Sequence, residues 1–82
     1  MIKKIEHIGI AVKSVEHANE VYTNLLGIKP YKNEEVASEM VMTSFFKTGD
    51  SKIELLEAKS PESAISKFIE KKGEGLHHIA IE

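Results

Sequence analysis

Glu6-His7-Ile8-Gly9-Ile10-Ala11-Val12 alternates residue by residue. Ile8, Ile10 and Val12 fall on one face of an extended chain, and Ile5, His7, Gly9 and Ala11 on the other. The pattern predicts a strand over 5–12 whose second face carries small residues around one histidine. At the far end of the chain, His78-Ile79-Ala80-Ile81 repeats His7-Ile8-Gly9-Ile10 at an offset of 71 residues. Both copies read histidine, apolar, small, apolar, and both open a strand at the same phase.

Between these copies the periodicity changes several times. Val15, Ala18, Val21, Tyr22, Leu25 and Leu26 recur at helical spacing, with Ser14 as N-cap and Gly27 just past the last apolar pair. Ile28 to Val36 reads as a weak, polar strand near a sheet edge, with Pro30 close to its start. Val41 to Lys47 is rich in β-branched and aromatic residues, and Thr48-Gly49-Asp50-Ser51 follows as a turn. Lys52 to Glu57 alternates again, with Glu54 and Leu56 on one face and Ile53 and Leu55 on the other. Ser60-Pro61-Glu62 is read as the opening of a second helix, carrying Ile65, Phe68 and Ile69 and ended by Gly73 and Gly75. A last strand then runs from Leu76 to Glu82. The predicted order is β-α-β-β-β followed by α-β, an α+β chain.

Composition narrows the function classes. The 82 residues are 41% hydrophobic and 29% charged, enough for a core and too apolar for disorder. Lys and Arg total 11 against 13 Asp and Glu, a net charge of −2 that gives no basis for nucleic-acid or anionic-membrane binding. The absence of cysteine removes disulfide scaffolds, zinc fingers and thiol catalysis. No apolar run reaches the roughly 18–20 residues of a membrane helix, and the first residues carry no signal-peptide stretch, so a cytoplasmic protein is expected. A domain this short buries only about 60% of its unfolded surface, which makes oligomerisation or further chain an expectation. No phosphate loop, Gly-x-Ser-x-Gly elbow or basic aromatic stripe is present.

The chemistry-bearing candidates are histidines and one acid. His17 belongs to the first helix and is read as a surface residue. His77 and His78 are strand neighbours, expected to point to opposite faces, so one of them joins the face that His7 occupies. Two histidines at equivalent strand positions, with Glu54 on a third strand, form a nitrogen and oxygen donor set suited to a divalent ion. Three protein ligands leave coordination positions open for substrate or water.

Several motifs together resemble the methylmalonyl-CoA epimerases of the glyoxalase, or vicinal oxygen chelate, superfamily. They are Glu6-His7-Ile8-Gly9-Ile10-Ala11-Val12, Tyr22-x-x-Leu25-Leu26-Gly27, Lys52-Ile53-Glu54-Leu55-Leu56-Glu57 and Gly73-Glu74-Gly75-Leu76-His77-His78-Ile79-Ala80. The resemblance implies a β-α-β-β-β module, half of an open barrel, over 1–58. A connecting helix over 60–73 and the first strand of a second module over 75–82 follow, within a single domain that ends early. It places metal ligands at His7, Glu54 and His78, where some epimerases carry glutamine in place of Glu54. It implies a divalent cofactor (Co, Mn, Mg, Ni or Zn), an acyl-CoA substrate, a homodimer, and epimerisation of methylmalonyl-CoA through a metal-stabilised enolate. Relatives take a fourth ligand, a glutamate with a proton-transfer role, from the second module. Another acid that some of them carry on the third strand corresponds here to Thr43, and neighbouring Glu39 is not assigned in its place. The catalytic acids are therefore unassigned, and low turnover is expected of these residues alone. Related readings are a lactoylglutathione lyase, a ring-cleaving dioxygenase, or a non-catalytic protein that binds a small ligand.

Overall fold

The computed structural model describes residues 1–82. The strands are β1 (Ile5–Ala11), β2 (Lys32–Val36), β3 (Val41–Thr48), β4 (Ser51–Ala58) and β5 (Gly75–Ile81), with helices α1 (Val15–Leu26) and α2 (Ala64–Lys72). They form one sheet in the order β2-β3-β4-β1-β5. β1 runs parallel to β4, and the other neighbouring strands are antiparallel. This is the α+β, β-α-β-β-β then α-β order that the alternation predicts.

α1 forms where its pattern places it. The Ser14 hydroxyl accepts from the His17 N–H, and Gly27 ends the helix at φ 72°, a left-handed conformation that costs a glycine little. The Glu57 carboxylate on β4 accepts from the Val15 N–H at 2.7 Å, adding a negative charge at the positive end of the helix. The apolar stripe of α1 covers one sheet face: Val12, Val15, Ala18, Phe46 and Leu55 are buried together there. α2 covers one end of the other face, where Ile65 packs with Ala11, Val41 and Leu56. The rest of that second face carries His7, Gly9 and Glu54.

Three local expectations are corrected. The weak second strand shrinks to Lys32–Val36, because Pro30 has no N–H to donate and the ladder toward β3 begins only after it. A single 3₁₀ turn, Ala37–Glu39, then leads into Met40 at φ 57°. α2 starts at Ala64 with Ser63 as its cap, three residues later than the sequence reading. The Ser60 hydroxyl instead accepts from the Glu62 N–H, and the Ser60 carbonyl from the Ser63 N–H, closing a turn around Pro61. Finally, His77 and His78 do not diverge, for a reason that lies in the register of β5.

β5 pairs with β1 so that His7 opposes Ala80, Ile8 opposes Ile79 and Gly9 opposes His78. The two copies of the repeat thus lie head to tail, each histidine across from the other copy's small residue. The register slips on both sides of this block, leaving Glu6 unpaired in β1 and His77 unpaired in β5. Two residues then face one across the ladder, and the extra side chain swings toward its neighbour's face. Glu6 and His77 hold equivalent places in the repeat. Leu76, Ile79 and Ile81 of β5 remain at least half exposed. No helix is long and apolar enough to cross a membrane.

Candidate metal centre

Three adjacent strands bring the candidate donors together. Glu54 on β4 and His78 on β5 both lie across from Gly9 of β1, with His7 two residues back on the same face. A Cβ at Gly9 would clash with the His78 ring, so only glycine lets that ring lie back over β1. His7 Nε2 is 3.0 Å from His78 Nε2 and 3.5 Å from Glu54 Oε1, and His78 Nε2 is 3.6 Å from the same oxygen. Nitrogen and oxygen bonds of about 2.0–2.2 Å to one ion separate neighbouring ligand atoms by about 3.0–3.5 Å, so this spacing fits a single divalent ion. The set holds no sulfur and matches ions that accept mixed imidazole and carboxylate ligation. Side-chain exposure of 24% at His7, 15% at Glu54 and 36% at His78 leaves the donors largely covered yet still reached by solvent.

The outer ring nitrogens are also occupied. His7 Nδ1 is 2.7 Å from Glu6 Oε1, and the other Glu6 oxygen is 2.9 Å from Lys52 Nζ. His78 Nδ1 is 2.9 Å from His77 Nδ1, and the His77 ring meets Phe68 of α2 edge-on at 5.0 Å. With Nδ1 engaged outward on both candidate histidines, both Nε2 atoms turn inward. The hydrogen bond from His7, then that from Lys52, holds the Glu6 carboxyl down at about 2 from its ordinary 4.5, and Glu6 raises Lys52 in return. Burial is the main cause lowering His78, with Glu54 opposing it, which favours the neutral imidazole that metal binding requires.

His7, Glu54 and His78, the ligand residues expected from the sequence, converge in this cluster. His17 lies exposed on α1, away from it. Thr43 is buried on β3, where its hydroxyl donates to the Glu34 carbonyl at 2.8 Å. Glu39 lines a cavity of about 250 Å³ that also touches Met40, Val41, Leu56, Ile65 and both His77 and His78. Sequence reasoning gave neither Glu6 nor His77 a supporting role and missed the steric role of Gly9. Extending the repeat by one residue, to Glu6 and His77, was the available signal.

Residues 6–82 match the family model described as the Glyoxalase/Bleomycin resistance protein/Dioxygenase superfamily. The chain is 43% identical over 79 residues to the uncharacterized protein YqjC of Bacillus subtilis, covering 96% of this chain and 56% of that one. It is 35% identical over 80 residues to the mitochondrial methylmalonyl-CoA epimerase of Homo sapiens, covering 96% of this chain and 46% of that one. A Streptomyces coelicolor methylmalonyl-CoA epimerase, solved as a serine-to-threonine variant with 2-nitronate-propionyl-CoA, superposes at a TM-score of 0.88. That structure is 32% identical and is matched over 99% of this chain and 60% of its own. The chain spans about half the length of the curated relatives it matches. The family-model match and the shared fold agree: the chain belongs to the glyoxalase/bleomycin-resistance/dioxygenase superfamily.

Proposed function

We propose that this chain is the metal-holding part of a methylmalonyl-CoA epimerase, with His7, Glu54 and His78 as ligands to one divalent ion. The observation that carries the reading is the convergence of these donors within 3.0–3.6 Å on one sheet face, partly buried yet still reached by solvent. The likeness to named epimerases adds the substrate class, an acyl-CoA. Co, Mn, Mg, Ni and Zn all suit the donor set.

A divalent ion held there supplies positive charge that stabilises the negative charge developing as the α-proton of the thioester leaves. The chain's own residues do the rest of the placing. Val41, Leu56 and Ile65 wall the cavity beside His78 with apolar surface, giving a substrate a shielded position next to the donors. Thr43 donates its hydroxyl hydrogen to the Glu34 carbonyl, and it offers no carboxylate for proton transfer. The proton-transfer carboxylate is assigned to a second module, and Glu39 is the one carboxylate of this chain that lines the cavity. The head-to-tail repeat of β1 and β5 supports reading β5 as the first strand of that module. The half-exposed Leu76, Ile79 and Ile81 at the β5 edge supply an apolar surface for a second copy of the chain, as a homodimer.

The test is exchange of the methylmalonyl-CoA α-proton in D₂O, followed by NMR, with the protein metal-loaded and then chelated. The expected result is slow but metal-dependent exchange, faster than with the free ion and lost in Glu54→Ala. Exchange no faster than with the ion alone contradicts the reading.

A further inference from the structure

Strand alternation predicts that Glu6, next to His7, points to the opposite sheet face. It does not. The register slip between Ile5 and His7 leaves Glu6 without a partner on β5, and its carboxylate lies 2.7 Å from His7 Nδ1. Lys52, which opposes His7 across the parallel pair with β4, grips the second carboxylate oxygen at 2.9 Å. The chain Lys52–Glu6–His7 thus runs from the surface to the edge of the donor cluster. An ordinary surface ion pair between Glu6 and Lys52 requires neither the bulge nor the contact to the imidazole. The same device recurs at the other copy of the repeat, where the bulged His77 meets His78 Nδ1 at 2.9 Å.

We propose that Glu6, clamped by Lys52, is a positioning residue: it holds His7 in the Nδ1–H tautomer with Nε2 turned toward Glu54 and His78. The proposal rests on the metal-site reading for its consequence and on the geometry alone for its tautomer. A carboxylate only accepts, so it can bind only the ring nitrogen that carries hydrogen, which leaves the lone pair on Nε2. A glutamine in its place can accept from Nδ1–H or donate to a bare Nδ1, so the choice of tautomer is lost. Outer partners of this kind are commonly worth about 10–100-fold in metal affinity.

The experiment compares wild type with Glu6→Gln, with Glu34→Gln as a control that makes the same change of net charge at an exposed carboxylate paired with Lys32. Nitrogen-15 imidazole NMR of the metal-free proteins reads the tautomer, and calorimetric titration with Co²⁺ and with Zn²⁺ reads affinity. Wild type and Glu34→Gln are expected to show a single Nδ1–H signature at His7 and equal affinities. Glu6→Gln is expected to show mixed tautomers and roughly 10-fold or greater weakening. An unchanged His7 tautomer in Glu6→Gln overturns the proposal, as does unchanged affinity where wild type binds. Wild type that binds neither ion removes the metal-site reading, and the tautomer comparison still decides the role of Glu6.

Discussion

Gly9 lies directly across the ladder from His78, and the imidazole ring occupies the space where a Gly9 side chain would stand. The contact is with the far end of a side chain that can rotate, so the strand itself tolerates a methyl there. Gly9→Ala is therefore expected to fold with an unchanged circular dichroism spectrum while the His78 ring is pushed off the donor cluster. Metal affinity measured by calorimetry should fall by at least 10-fold, on the scale of losing ligand orientation.

The N-terminus of α1 draws on two sources, the Ser14 hydroxyl and the Glu57 carboxylate from β4. Ser14→Ala removes a cap and is expected to cost about 1 kcal/mol. Glu57→Ala removes a half-buried, charge-assisted bond and is expected to cost about 1.5–3 kcal/mol. Urea unfolding of the two variants checks both values, with Glu57→Ala the more damaging.

Phe46 and Leu55 are fully buried beneath α1 and join the helix to the middle of the sheet. Phe46→Ala is expected to cost about 3–5 kcal/mol through lost burial and the cavity it leaves. A total stability on the order of 5–15 kcal/mol makes that a large fraction. Thermal denaturation should show a marked fall in midpoint, or no cooperative transition at all.

Acid should weaken the metal-free protein in two stages, both with the same sign. The His78 value is lowered by burial, so the unfolded chain takes up this proton first, and its contribution is lost as pH falls below the ordinary 6.5. Glu6 is held at about 2 against an ordinary 4.5, so its contribution is complete above 4.5 and disappears as pH falls toward 2. Glu6→Gln should flatten the lower stage and leave the upper one. Urea midpoints collected from pH 2 to pH 8 check this, and a stability that rises on acidification would contradict it.

Much of the fold was legible because its signals are local. The spacing of Val15, Ala18 and Tyr22 defines α1, Ser14 and Gly27 mark its ends, and the alternation around His7, Glu54 and His78 places those residues on strands. The boundary of α2 was missed because Ser60 and Ser63 both suit a cap, and Pro61 suits a turn as well as a helix start. The bulges were illegible for a different reason. They depend on the register between β1 and β5, strands 71 residues apart whose own sequences fit either phase. The roles of Glu6, His77 and Gly9 follow from that register, so the candidate donors were readable while their supports were not.

The central claim is that His7, Glu54 and His78 together hold one divalent ion. Titration of the protein with Co²⁺, followed by the visible absorption of the bound ion, tests it most directly. The account predicts saturation at one ion per chain, with binding lost in His7→Ala, Glu54→Ala and His78→Ala. Binding that persists unchanged in all three variants, or no binding by the wild-type chain, would contradict it.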